Sequence, residues 1–291
     1  MKIINFGSIN IDHVYTVEHF VRPGETLPST RYAQFPGGKG FNQSVALARA
    51  GATVSHAGRI GADGLWLRDY LSRCGADTSR IAVVDGPTGH AILQVLPNGE
   101  NAIITQGGAN HRITAQDAER ALEGASAGDY LLLQNEISAI PEIMQLGQAR
   151  GLRIVFNPAP MNAAVRAYPL AAVSLFIVNE VEGGDLTGQT TPQAIVKAMA
   201  AQYPKAAIVL TLGAEGALYR EKTKTVRVPA ARVRAIDTTA AGDTFIGYLL
   251  ADLAAGREME PAMRTACMAA AICVTRRGAA DSIPLRAEVV G

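Results

Sequence analysis

The feature that most constrains the fold is a rhythm of short apolar runs alternating with helix-like segments. "KIINFG" (2–7), "DYLLLQ" (129–134), "RIVFN" (153–157), "LFIVN" (175–179) and "AAIVLTLG" (206–213) are each bounded by polar residues, Gly or Pro. Short apolar runs of this kind are what strands buried on both faces require. Helix-like segments fall at about 114–123, 138–150 and 191–203, and "NQSVALARAGA" (42–52) reads as a helix stopped by Gly51. Strands alternating with helices predict an α/β fold with a mostly parallel sheet covered on both sides.

Two regions break the rhythm. Residues 12–36 and 88–107 contain "HVYTVEHF", "STRYAQF", "HAILQVL" and "NAIITQ", with the turn signal "PNGE" between the last two. They read as antiparallel strands outside the parallel sheet, either a lid over a ligand or a pair of decorative hairpins. A chain of 291 residues with 48% hydrophobic content suits one large α/β domain with a sizeable core. The net charge of +1 gives no electrostatic footprint for a nucleic acid or an anionic membrane, so the expected partner is a small molecule. Cys74, Cys267 and Cys273 form no C-x-x-C pair, which argues against a disulfide framework or a zinc site. "MKIINFGSINID" lacks the form of a signal peptide, and no run of about 18 apolar residues occurs. The expectation is a soluble, cytoplasmic protein.

In open parallel sheets, ligands bind beyond the carboxyl ends of the strands. The segments after the apolar runs supply Asn10 and Asp12, Asn135 and Glu136, "NPAP", then Asn179, Glu180 and Glu182, then "TLGAEG". Carboxylates and amides at several strand ends would converge on one edge. "PGGKGFNQ" (36–43) is neither a Walker A loop nor a dinucleotide fingerprint. It reads equally as a turn before a helix or as a backbone that approaches a ligand closely. "DTTAAGDTF" (237–245) precedes a helix. Its small residues would let the amides of 241–243 face one anion at a helix start, with Asp243 beside it to accept a proton. An Asp in a first turn also serves stability alone.

The blocks "GSINID", "PGET", "GGKGFNQ", "GAN", "LLLQNE", "NPAP", "VNEVE", "TLGAEG", "DTTAAGDTFIG" and "VTRRGAADSIP" follow one another along nearly the whole chain. In that order they resemble the ribokinase-like sugar kinases, the phosphofructokinase-B superfamily. The resemblance implies a three-layer α/β/α fold with a small β-sheet lid, a single catalytic domain over 1–291, and lid strands from about 12–36 and 88–107. It implies transfer of the γ-phosphate of ATP to a sugar hydroxyl, D-ribose to ribose 5-phosphate first. Another sugar, a nucleoside, or a silent binding protein on the same fold are the alternatives. By the same resemblance Asp243 is the base, and Ala240, Ala241 and Gly242 lead into the anion hole. Asn10, Asp12, Gly38, Lys39, Gly40, Asn42 and Glu136 hold the sugar, and Asn179 and Glu182 organise Mg²⁺ and phosphates. Thr211, Gly213 and Gly216 line the nucleotide site, and Cys267 stands near the adenine, where such kinases often carry His or Asn. An activating K⁺ takes the Asp237 side chain, the Thr239, Cys273, Arg276 and Gly278 carbonyls, and Ser282. Two lids pack into a homodimer. His90, where small or aliphatic residues are usual, faces either the sugar or solvent, and Pro36 stiffens the approach to the glycine loop.

Overall fold

The computed structural model describes residues 1–289. In chain order the strands are β1 (Ile3–Phe6), β2 (Asn10–Thr16), β3 (Arg31–Gly37), β4 (Val54–Ile60), β5 (Asp77–Val83), β6 (Gly89–Val95), β7 (Asn101–Gln106), β8 (Tyr130–Gln134), β9 (Arg153–Asn157), β10 (Val173–Asn179), β11 (Ala207–Thr211), β12 (Ala217–Glu221) and β13 (Lys224–Val228). The helices are α1 (Lys39–Arg49), α2 (Leu65–Arg73), α3 (Ala115–Ala121), α4 (Ile140–Ala149), α5 (Glu180–Thr187), α6 (Pro192–Gln202), α7 (Ala241–Ala254), α8 (Met259–Cys273) and α9 (Arg286–Val289).

The main sheet has the order β13-β12-β11-β10-β9-β8-β1-β4-β5. Its strands run parallel from β11 to β5, and β12 and β13 continue it antiparallel. The period of two along a strand explains the unbroken apolar runs. Leu131 and Leu133 pack on the side of α3, α4 and α6, while Tyr130 and Leu132 pack on the side of α1, α2, α7 and α8. Phe176 and Val178 alternate with Leu175 and Ile177 in the same way. Each central strand is therefore apolar on both faces, and the result is a three-layer α/β/α body.

The second sheet has the order β3-β2-β6-β7. The β2–β3 and β6–β7 pairs are antiparallel, as the sequence predicts, but β2 and β6 pair parallel, from Asn10 opposite Gly89 to Thr16 opposite Val95. The expectation of an all-antiparallel small sheet is corrected at this seam. Both hairpins leave the body from the same edge, so their outgoing strands lie side by side with the same sense. The turn at 97–100 forms as expected: Leu96 N–H donates to Glu100 O, Glu100 N–H donates to Asn98 Oδ1, and Gly99 takes φ +90°. α1 begins at Lys39, earlier than its sequence pattern shows, because Gly38 adopts φ +91° and turns the chain into the helix. Gly51, at φ +85°, follows its end.

Candidate active site

The parallel strands deliver their carboxyl ends to one edge, and α1 and α7 bring their first turns to the same place. At their meeting point Asn42 Nδ2 donates to Asp243 Oδ2 (3.1 Å) and Gln43 Nε2 donates to Asp243 Oδ1 (2.9 Å). Asp243 is 8% exposed. Ala240 caps α7 with φ +59°, a left-handed conformation that a residue with a Cβ adopts only when its surroundings impose it. Ala241 N–H is already taken up by Thr238 O (3.3 Å), so of the three amides expected to face an anion only those of Gly242 and Asp243 remain free for one. A Cβ at Gly242 would meet nothing within 4 Å, so this turn opens into free space. That space is a polar cleft of about 210 Å³, lined among others by Lys39, Asn157, Glu182, Thr238 and Asp243. Burial works against the Lys39 ammonium, but the charges of Asp243, Glu136 and Glu182 outweigh it and hold its pKa above the usual lysine value.

Asp12 and Glu136 lie near one another on the lid side of Lys39, outside the lining of that cleft. Glu136 Oε2 accepts from Ser8 Oγ (2.5 Å) and from the Lys39 backbone N–H (2.9 Å), which ties β1, α1 and the segment after β8 together. The Asp12 carboxyl is pushed up to about 6 by burial and by the charge of Glu136. Gly37 leaves no room for a Cβ against the Asp12 carboxylate. Asn10 Oδ1 accepts from Asn110 Nδ2 (2.7 Å), and Asn110 also bonds both backbone groups of Ile9. Asn42 Oδ1 is buried and has no partner among the described residues, so an acceptor faces inward with nothing to accept from. A Cβ at Gly40 would run into the backbone of Gly7 and Ser8, so the smallness of Gly40 serves packing here.

Asn179 and Glu182 form a capping box at the start of α5. Glu182 N–H donates to Asn179 Oδ1 (2.8 Å), Asn179 N–H donates to Glu182 Oε2 (3.0 Å), and Asn179 Nδ2 reaches Glu182 Oε1 (2.9 Å). Burial raises the Glu182 pKa above the ordinary value, although the bond from Asn179 N–H opposes it. Thr211, Thr238, Ala241 and Gly242 also border a second, mainly apolar cavity of about 410 Å³. Gly213, Gly216, Val233, Phe245 and Cys267 line it, and burial pushes the Cys267 thiol up to about 11, so it is a neutral, apolar wall.

Behind α7, Asp237 Oδ1 accepts from Thr239 N–H (2.9 Å) and Thr239 Oγ1 (2.6 Å), and Oδ2 accepts from Gly278 N–H (2.9 Å). Burial opposes ionisation of Asp237, but these bonds and the nearby Arg277 outweigh it and hold its carboxyl below the usual range. Cys273 Sγ lies 3.0 Å from Ser282 Oγ and 3.7 Å from Thr239 O, so these residues do gather in one place. The Cys273 carbonyl accepts from Arg276 N–H (3.1 Å), and the Arg276 side chain points outward to Glu288. His90 shares a face of the small sheet with His13 and Tyr32, opposite the face of Asp12, and its ring centroid is 5.9 Å from that of His13. It faces away from Asp12. Gln43, Asn110, Asn157 and Ser8 join the expected residues at the site, and their signal in the sequence is the further polar members of "GGKGFNQ", "GAN", "NPAP" and "GSINID".

The chain resembles proteins of known kind over nearly all its length. A ribokinase of Haemophilus influenzae is 37% identical over 98% of this chain and 95% of its own. The crystal structure of ribokinase from Cryptococcus neoformans with ADP superposes with TM-score 0.87 at 35% identity, covering 99% of this chain and 98% of that one. The structure of Arabidopsis thaliana ribokinase with ribose and ATP superposes with TM-score 0.89 at 28% identity, covering 99% and 97%. The model of the pfkB family of carbohydrate kinases matches residues 1–286. The fold, the converging strand ends and these likenesses agree: the chain belongs to the pfkB family of carbohydrate kinases.

Proposed function

We propose that the protein is an ATP-dependent sugar kinase that phosphorylates the 5-hydroxyl of D-ribose. The observation that carries this reading is the Asp243 carboxylate, fixed by Asn42 and Gln43 on the first turn of α7 between a polar cleft and an apolar cavity. The ribokinase of Haemophilus influenzae and the ribose and ATP complex of the Arabidopsis protein support the choice of substrates. Asp12, Asn10, Glu136, Lys39 and Asn42 hold the sugar hydroxyls, with Gly38 shaping the loop. The apolar cavity beside Cys267, Gly213 and Gly216 takes the nucleobase.

Asp243 removes the proton of the acceptor hydroxyl. The hydroxyl oxygen forms its bond to the γ-phosphorus as the bond to the β–γ bridging oxygen breaks, and the electron pair leaves with ADP. The Gly242 and Asp243 amides, the α7 dipole and the Lys39 ammonium stabilise the charge on the transferring group. Among the described residues no group of three or more His, Cys, Asp or Glu gathers to hold a metal ion. Asn179 and Glu182 are oxygen donors beside the cleft, and they fit an Mg²⁺ that takes most of its coordination from phosphates and water; Mg²⁺ neutralises phosphate charge when bound. Asp237, the Thr239 carbonyl and Ser282 are oxygen donors suited to K⁺, whose binding would brace the loop ahead of α7. Among the described residues no helix is long and apolar enough to cross a membrane. We place the enzyme in the cytoplasm, as a homodimer through its small sheet.

The test is coupled ADP release with ATP, Mg²⁺ and K⁺ across a panel of ribose, deoxyribose, fructose and nucleosides. D-Ribose should give the highest kcat/KM; a nucleoside ahead of it would replace the acceptor. Asp243→Asn should lower kcat by about 10²–10⁴-fold, the range for a general base, with sugar binding largely kept.

A further inference from the structure

Behind Asp243 lies a chain of buried, uncharged polar groups, of which only the first bond, from Gln43 to Asp243, has entered the mechanism above. Gln43 Nε2 donates to Asp243 Oδ1 (2.9 Å), and Gln134 Nε2 donates to Gln43 Oε1 (2.7 Å) and to Asn5 Oδ1 (2.9 Å). Asn5 Nδ2 donates to Ser44 Oγ (2.8 Å) and Gly40 O (2.7 Å), Ser44 Oγ lies 2.7 Å from His56 Nδ1, and His56 Nε2 lies 3.3 Å from Gly7 O. Gln43, Gln134, Asn5, Ser44 and His56 are all fully buried.

The direction of every bond is set by its two ends. A carboxylate only accepts, so Gln43 must present its NH₂ to Asp243 and its carbonyl to Gln134. The Gly7 carbonyl only accepts, so His56 carries its proton on Nε2 and takes the Ser44 hydroxyl on Nδ1. Burial pushes the His56 pKa down to about 4, so the ring adds no charge. Asn5, His56 and Gln134 stand on the α1 face of the sheet, each two residues along its strand from an apolar core residue: Ile3, Val54 and Leu132. Apolar side chains would fill these positions with no polar group left to satisfy. The chain instead ends on the one carboxylate at the cleft.

The terminal torsion of Asp is soft, so packing alone does not fix the plane of its carboxylate. A hydrogen bond to an ionised acceptor is stronger than a neutral one and does fix it. Gln43 is in turn held by Gln134, which packs against Gly7, where a Cβ would meet both Gln134 Oε1 and the Gly40 α-carbon. We propose that Gln43 is a positioning residue for the phosphoryl transfer: clamped by Gln134 to the central strands, its amide holds Oδ1 of Asp243 against the core and turns Oδ2 to the acceptor hydroxyl. This inference rests on Asp243 being the base.

The experiment compares Gln43→Leu, Asp243→Asn and the double variant by single-turnover ADP formation, with D-ribose affinity by calorimetry. Gln43→Leu should lower the rate by about 10–100-fold, as a misplaced reacting group does, while the ribose Kd stays within about threefold. In the Asp243→Asn background the same substitution should change the rate by less than about twofold, because aiming an absent base has no effect. A folded Gln43→Leu protein with the original rate, or an equal loss in both backgrounds, overturns the proposal. Turnover surviving in Asp243→Asn overturns instead the reading of the site on which it rests. Should Gln43→Leu not fold, Gln134→Leu decides: it leaves the Asp243–Gln43 bond but frees the amide, and should lower the rate severalfold at unchanged ribose Kd. An unchanged rate there overturns the proposal.

Discussion

Asp12 is held at a cost to the empty enzyme. Its folded pKa of about 6 lies above the ordinary value of 3.8, so the folded chain binds more protons than the unfolded one between those limits. Stability therefore falls as pH rises through that window, and above it the ionised carboxylate costs about 2–3 kcal/mol. Asp12→Asn should raise the Tm of the sugar-free protein at pH 7.5 and leave it nearly unchanged near pH 4, by scanning calorimetry at both. The same variant should weaken D-ribose binding by about 10–100-fold, the loss of a hydrogen bond to a charged group. A lower Tm at pH 7.5 would show that Asp12 stabilises the fold. At this scale the sequence was legible where a residue type announced its chemistry. Asp243, Lys39 and Asp12 stood out as charges among glycines and strand ends. Gln43 did not, because a buried amide and an exposed one look alike in a helix pattern. His90 was open between sugar and solvent, and only the register of β2 and β6 turned it away from Asp12.

The capping box at α5 shows one element doing two jobs. The family resemblance implies phosphate and metal chemistry for Asn179 and Glu182, and their observed bonds also begin a helix. Asn179→Ala should lower stability by about 1 kcal/mol through the lost cap, read from denaturant midpoints. Asn179→Ser, which caps as well and sets no second charge beside Glu182, should keep most of that stability. If Asn179→Ser is nearly as stable as the parent but turns over more slowly at limiting Mg²⁺, the residue acts on the metal beyond its cap. The elements that the sequence revealed were those with the simplest environment. β8, β9, β10 and β11 are central and apolar on both faces, so their runs are uninterrupted. β4 carries His56 and Arg59, and β5 carries Arg80; these side chains bond Ser44, Asp117 and the Ala121 carbonyl and break the apolar pattern. β12 and β13 form the antiparallel end of the sheet, where alternating Arg, Glu and Lys hide a strand.

At the scale of the molecule, the sequence revealed that there are two sheets but not how the small one is joined. The parallel seam between β2 and β6 unites strands about 80 residues apart in the chain, and no local pattern records such a pairing. The small sheet has little of the body behind its outer strands. Ile103 and Ile104 are 52% and 66% exposed on opposite faces of β7, with Tyr32, Phe35 and Ile92 also open to solvent. An apolar edge of this kind on a sheet projecting from the body calls for cover, and the homodimer proposed above would supply it with a second copy of the same sheet by two-fold symmetry. The protein should sediment at twice its chain mass of 30.6 kDa. Ile103→Glu and Ile104→Glu separate the faces: the substitution on the buried face should yield a monomer at micromolar concentration, and the other should leave the dimer intact. Because that sheet also carries Asp12, the monomeric variant should bind ribose more weakly, by raised KM at nearly constant kcat. A parent protein that sediments as a monomer, with ribose turnover intact, would show that the sheet closes over the sugar without a partner.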